Sequence, residues 1–388
     1  PFATWATAAS NIQAAIDATD AAADRTKRRI RIPAGLFHIK EPIVVRNKKG
    51  LVLMGDGSAL TTLVAEGRGM EKKPVVLLVN SSEIVIENLT VESDRQFIPS
   101  AAIESTVDNP KYIFALWPTL NVFRNLVIGS RTLSVAGRRP GVSFRDGIRF
   151  TASEGSDGNN DQSLIDNVCI SGFARAAVAI EHGNSLLHRI VNGVFAYGSI
   201  GVYVAGGSFQ MSGTNLFVDD WDFDFDRPNP VMLRSPTGEL RDTAGYYHSS
   251  TITNVASEGE SNFIRTAEWP EEGFIKRSGR TGIHVNIIGY DRSGVRFDES
   301  GGLGAAIDLK GAGHVSITAS HLNFGRPTRI VSSHAMAQLT ISGSTISHVH
   351  NISVRGSFSS VGNVYASGPT KIEAGTRASV GDWSEIRE

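Results

Sequence analysis

The run Trp221-Asp222-Phe223-Asp224-Phe225-Asp226 sets three carboxylates at alternate positions of an apolar segment. In an extended strand, side chains two apart share a face and lie roughly 6.5–7 Å from one another. That spacing overlaps the ~6.5–9.5 Å between the acid and base carboxylates of an inverting glycosidase. Neighbouring carboxylates also repel, which raises the proton affinity of one of them, as a general acid requires. Two plainer uses compete with catalysis. A row of acids keeps a face soluble, and clustered carboxylates suit Ca²⁺. Asp219 and Asp220 precede the strand, near a corner, and are weaker candidates.

What lies beside these acids depends on the strands around them. Similar short strands recur as Gly147-Ile148-Arg149-Phe150, Ala177-Val178-Ala179-Ile180-Glu181, Gly201-Val202-Tyr203-Val204, Phe263-Ile264-Arg265-Thr266 and Val295-Arg296-Phe297-Asp298. Stacked at the ~4.8 Å inter-strand spacing, they form columns. The inward set is Ile148/Phe150, Val178/Ile180, Val202/Val204, Phe223/Phe225, Ile264 and Val295/Phe297. The outward column is Arg149, Ala179, Tyr203, Asp224, Arg265 and Arg296, so Asp224 is expected between Tyr203 and Arg265. A second outward column carries Glu181, Asp226 and Asp298. Asp222, Asp224, Asp226 and Glu181 are thus the candidate catalytic carboxylates, with Tyr203 and Arg265 beside them. Arg149, Arg296, Asp298, Glu258 and Trp269 are candidate substrate contacts. Arginine offers a bidentate fork for a sugar carboxylate, although pairing with neighbouring acids is an equal use. Trp269 is the preferred aromatic for stacking on a sugar.

Each of these strands follows an element in which apolar residues alternate around an Asn. Examples are Val85-Ile86-Glu87-Asn88-Leu89, Val122-Phe123-Arg124-Asn125-Leu126, Leu164-Ile165-Asp166-Asn167-Val168, Ile190-Val191-Asn192-Gly193, Gly213-Thr214-Asn215-Leu216 and Ile252-Thr253-Asn254-Val255. His284-Val285-Asn286-Ile287 and Val361-Gly362-Asn363-Val364 continue the rhythm, which predicts an Asn ladder at one corner of a solenoid. Asn167 to Asn192 is 25 positions, but Asn215 to Asn254 is 39. Some coils therefore carry insertions, near 131–145, 153–161, 227–246 and 267–280, which are expected to wall one binding face.

Composition agrees with a repeat fold. Of 388 residues, 41% are hydrophobic, enough for a long core, and the 40 glycines suit frequent tight turns. The net charge of −1 gives no global field for nucleic acid or an anionic membrane. No run of 18 apolar residues predicts a membrane span. The single cysteine, Cys169, sits in an apolar strand and reads as an inert buried thiol. The histidines show no metal-like clustering with Cys or Glu; His348 and His350 alone make a weak signal. The start, Pro1-Phe2-Ala3-Thr4-Trp5, lacks the charged and apolar regions of a signal peptide. One helix is predicted, with Asn11 as N-cap, Ile12, Ala15, Ile16, Thr19 and Ala23 on its inner face, and an end near Asp24-Arg25.

The opening Asn11-Ile12-Gln13-Ala14-Ala15-Ile16-Asp17, with Ile32-Pro33-Ala34-Gly35-Leu36-Phe37-His38-Ile39 and Leu53-Met54-Gly55-Asp56-Gly57, resembles the pectate-lyase-like superfamily. That resemblance covers about the first 65 residues. It implies an all-β, right-handed parallel β-helix (solenoid) with an N-terminal capping α-helix. Residues 1–28 are then the cap, 29–366 the coils and 367–388 a C-terminal tail of one domain. It carries over no catalytic residue. It implies a polysaccharide partner and an extracellular, secreted or virion-associated setting. The leading expectation is a glycoside hydrolase that depolymerises an extracellular polysaccharide, acidic ones included, with paired carboxylates on the outer face. A lyase acting on a uronate through Arg265, Arg296 and Tyr203, and a non-catalytic glycan-binding spike or adhesin, are the alternatives. No cofactor is required, with Ca²⁺ as the metal the acids would suit. An uncapped last coil favours an oligomer, a homotrimer if the protein is tailspike-like.

Overall fold

In the computed structural model, described for residues 8–19, 28–108, 117–129, 141–156, 158–227, 229, 231–234, 240–243, 249–259, 261–268, 282–293, 305–366, 371–374 and 377–381, the chain winds as a right-handed parallel β-helix. Each coil contributes one strand to each of three parallel sheets. The first coil supplies Arg29–Ile32, Gly35–Ile39 and Ile43–Arg46, and the next Val52–Gly55, Thr61–Ala65 and Val76–Val79. Their burial alternates, as in Arg29–Ile32, because every other side chain enters the tube; in Val76–Val79 the outward Val79 is buried as well. Where the corners are gentle one strand serves a whole coil: Leu164–Ile180 pairs in all three sheets. The inward residues form one continuous apolar core from Ile12 to Phe358.

The helix spans Ala8–Ala18, one turn earlier at its start than the Asn11 cap predicts, and it ends well before Asp24. The alanines upstream of Asn11 are the best helix formers, so the helix extends through them. Thr19 closes it by donating its hydroxyl to the Ile16 carbonyl at 2.6 Å. Ile12 and Ile16 are buried on the first coil as expected, while Ala23 lies outside the described residues. Gln13 does the capping chemistry. Its amide donates to the Val44 carbonyl (2.9 Å) and accepts from the Val44 N–H (2.8 Å), pairing backbone groups on the edge strand of the third sheet.

The Asn ladder is present over three coils. Asn167 donates to Asn125, and Asn125 to Asn88, at 2.9 and 3.0 Å. All three have positive φ, which Asn tolerates and which turns the chain from the first sheet to the second. Asn192 keeps the backbone shape but donates to Asp166, and Gly213 and Gly289 take the corner in later coils. Asn215 and Asn286 lie in strands, and Asn363 is buried, so these are not members. The stack also runs past residue 366. Lys371–Ala374 and Arg377–Gly381 add strands to the third and first sheets, within the segment read from sequence as a tail.

Replacing Gln13 with Ala leaves both Val44 groups without that partner. Unfolding in urea is expected to show a loss of about 1–2 kcal/mol, with little change on substituting the exposed Ala14 by Ser.

Candidate active site on the outer face of the third sheet

Parallel pairing fixes which side chains meet on this sheet. Arg149, Ala179, Tyr203, Asp224 and Arg265 are consecutive Cα partners, in the order the sequence columns predict. Inside, Ile148, Val178, Val202, Phe223 and Ile264 stack in register and are buried. The sixth outward place belongs to Asp308, not Arg296, because the strand paired with Asn262–Thr266 is Ala305–Leu309. Val295-Arg296-Phe297-Asp298 has the right alternation, but the third-sheet strand of that coil begins at Ala305. Arg296, Asp298 and Trp269 lie outside the described residues.

Asp222 is the main correction. It points into the tube and is 0% exposed, not outward with Asp224. The chain bends as it enters the third sheet, so two consecutive positions face inward. Ala177, Phe263 and Ala306 occupy the same inward column and join the core, and a Cβ on Gly201 would meet Leu216 at 3.4 Å. Strict alternation fails at this bend, and Trp221 takes the outward place that alternation denies it. Inside, Asp222 accepts from Arg292 Nη1 (2.5 Å), Tyr290 Oη (2.8 Å), Ser257 Oγ (3.0 Å) and Ser261 Oγ (2.6 Å). Arg292 is 1% exposed and also donates to the Ser261 and Gly259 carbonyls. Burial, and then the Asp222 charge, push the Tyr290 hydroxyl well above its usual range. Asp222 is therefore a core ion-pair residue, remote from any polymer on the surface.

Asp224 does face outward but is only 3% exposed. Arg265 clamps both its oxygens, Nε at 2.9 Å and Nη2 at 2.5 Å, and lies over the Trp221 ring at 5.3 Å. Asp226 is more open. Its Oδ2 accepts from Tyr203 Oη at 2.6 Å and its Oδ1 from the Arg227 N–H at 2.7 Å. Burial and the Asp226 carboxylate raise the Tyr203 hydroxyl above the ordinary tyrosine range. Glu181 stands two coils away in the same outer column, with Ala205 between, as the Ile180–Val204–Phe225 pairing dictates. Two coil steps separate the backbones by about 9–10 Å. Glu181 is held by Arg149 and by Arg175 Nη1 at 2.5 Å. Burial alone would raise its pKa, but the two guanidiniums outweigh burial and hold it below the ordinary glutamate range. Glu258 is exposed at the corner after Ala256–Ser257 of the second sheet, outside this array.

Arg175 was not legible as a site residue. It also grips Asp146 with Nε and Nη2, at 2.7 and 2.6 Å, and covers the Tyr203 ring at 4.6 Å. Burial nonetheless raises the Asp146 carboxyl above its usual range. Arg175 sits where the register shifts between Phe173 and Ala176, so counting alternate residues could not assign it a face. Glu104, paired with Arg149 at 3.5 Å and with Thr151 at 3.0 Å, was also missed, as were Asp308 and its partner Lys310. Ala176, Ala179 and Ile200 form an apolar strip on this outer face with Tyr203 and Trp221. Among the described residues, no three or more His, Cys, Asp or Glu are grouped to hold a metal ion. Cys169 is partly buried, and burial raises its thiol pKa.

No protein-family model and no curated protein sequence matches the chain. Among solved structures, it is similar to the catalytic unit of a thermostable GH87 alpha-1,3-glucanase from Streptomyces thermodiastaticus strain HF3-3, at 12% identity and a TM-score of 0.56 over 97% of this chain. A GH87 alpha-1,3-glucanase catalytic domain in complex with tetrasaccharides matches at 13% identity and a TM-score of 0.51 over 94% of this chain. The chain spans 66% of each of those two chains. The pre-mature bacteriophage phi29 gene product 12 is similar at 10% identity, with a TM-score of 0.47. At these identities the likeness is one of fold, the parallel β-helix.

Asp222→Ala strands the Arg292 charge in the core and is expected to cost roughly 3–5 kcal/mol in chemical denaturation. The double replacement Asp222→Leu/Arg292→Met should recover most of that loss, because neither charge is then left unpaired.

Proposed function

We propose that the protein is a glycoside hydrolase that cleaves a polysaccharide laid along the outer face of the third sheet. Glu181 and Asp226 flanking Tyr203 is the observation that carries this reading. Asp222 lies in the core, Asp224 is buried beneath Arg265 and Glu258 stands on another corner, whereas Glu181 and Asp226 are both partly exposed on this face. In this reading Glu181, kept ionised by Arg175 and Arg149, takes a proton from the attacking water. Asp226 protonates the departing glycosidic oxygen. Tyr203, which donates to Asp226, orients that carboxyl. The wide separation suits an inverting mechanism, in which water needs room between the two carboxyls. Acid–base hydrolysis of this kind needs no cofactor. The proposal includes an extracellular setting for this polymer.

The lyase reading is less well served by the same face. A lyase needs a cation for the uronate carboxylate and a base for the adjacent proton. Arg149, Arg175 and Arg265 are already engaged with carboxylates, and Tyr203 is pushed away from the ionised form a base requires. The two GH87 structures are glucanases by name, which agrees with a hydrolase without fixing a sugar for this chain.

A panel of glycans digested with the protein and read by mass spectrometry tests the proposal. Cleavage without an unsaturated, ultraviolet-absorbing end is expected, and Asp226→Asn and Glu181→Gln should each slow it roughly 10²–10⁴-fold. Binding without cleavage of any glycan would favour the adhesin instead. The pH profile checks the role of Arg175. Glu181 must be ionised to act, and its pKa is depressed, so the acid limb should lie below the ordinary glutamate range. Arg175→Ala removes a cation, raises the Glu181 pKa and should move that limb upward.

A further inference from the structure

The two outer columns that carry the carboxylates continue toward the N-terminal coils. Leu77, Glu104 and Arg149 are successive partners in one, and Val79, Thr106 and Thr151 in the other. There they floor a cleft of about 330 Å³, rimmed by Arg46 and Asp108. That volume lies within the roughly 300–1,000 Å³ of ordinary ligand pockets. The strand bearing Glu104 lies two coil steps from the strand that leads into Glu181 and four from the one that leads into Asp226, about 10 and 19 Å along the axis. The cleft is thus in line with the cleavage site and adjoins its Glu181 end, where Arg149 lines the cleft and also holds Glu181.

Its lining has a definite chemistry. Leu77 is half-buried and Val79 buried, and together they give an apolar floor. Thr106 and Thr151 add hydroxyls. The two guanidiniums each face a carboxylate of the cleft: Arg46 lies 3.5 Å from Asp108, and Arg149, whose shortest contact is with Glu181, lies 3.5 Å from Glu104. An anionic ligand would find no unmatched cation here, and a cationic one no unmatched acid. A neutral sugar ring fits both features. Its C–H face packs on Leu77 and Val79, and its hydroxyls exchange bonds with Thr106, Arg46 and Asp108.

We propose that this cleft is a flanking subsite that holds a neutral sugar unit of the same polymer that is cut between Glu181 and Asp226. The proposal rests on the hydrolase reading for the identity of the chain it holds. It adds that the substrate is uncharged in this stretch and that chain length, not only linkage, determines affinity.

The test compares wild type with Arg46→Ala/Asp108→Ala and with Leu77→Glu. The first changes exposed side chains and should leave the melting temperature unchanged. Substrates are a neutral polysaccharide that the glycan panel shows to be cleaved and its shortest cleavable oligosaccharide. KM on the polymer should rise about tenfold, the effect of about 1.4 kcal/mol of lost binding, with kcat unaltered and the short substrate unaffected. Equal effects on long and short substrates, or no effect on either, overturn the subsite. If wild type cleaves nothing, calorimetry with neutral linear hexasaccharides and with hexagalacturonate decides. Neutral hexamers that bind, and lose affinity in the cleft variants but not in Glu181→Gln, support the subsite although the hydrolase reading has failed. Absence of neutral-hexamer binding, or preference for hexagalacturonate, overturns it.

Discussion

The hydrogen-bond ladder between successive coils places every side chain on the candidate face. Each parallel step moves the chain one strand spacing along the axis and fixes which residues become neighbours. A slip of one residue in any strand would exchange its inner and outer sets, driving Phe223 and Phe225 into water. The buried apolar columns prevent that slip. Arg265 meets Asp224, and Tyr203 reaches Asp226, because Val202, Phe223 and Ile264 are locked beneath them.

That ladder places charges with different consequences inside and outside the tube. On the outer face, Arg149 and Arg175 meet several carboxylates in a partly buried setting, which holds Glu181 ionised while burial keeps Asp146 above its usual range. Inside, Asp222 and Arg292 form a polar plug at the corner between the second and third sheets. There the Ser257 and Ser261 hydroxyls replace the water that both charges have lost. Removing one partner there leaves a buried charge unpaired, whereas the outer-face pairs keep one side toward solvent.

Two ends of the solenoid are handled differently. At the N-terminal end, Gln13 supplies an amide to the exposed edge of Ile43–Arg46 while Ile12 and Ile16 close the core. At the other end the strands continue through Arg377–Gly381. The long insertions leave from the margins of the third sheet, as after Trp221–Phe225 and Asn262–Thr266. The face with the carboxylates is therefore bordered by the long insertions, the usual place for them on a repeat scaffold.

The sequence by itself determined the coil, the capping helix, and five consecutive members of the outer column. Each depends on local alternation, which one strand carries within its own residues. It also marked Asn88, Asn125 and Asn167 as a corner ladder, since few residues accept a left-handed turn. The tertiary structure decided the rest. It sent Asp222 inward, brought Arg175 over Tyr203, and set Asp308 rather than Arg296 beside Arg265. In all three cases the chain bends, shifts register or is interrupted by an insertion, and there the orientation of a side chain is set by the coils above and below.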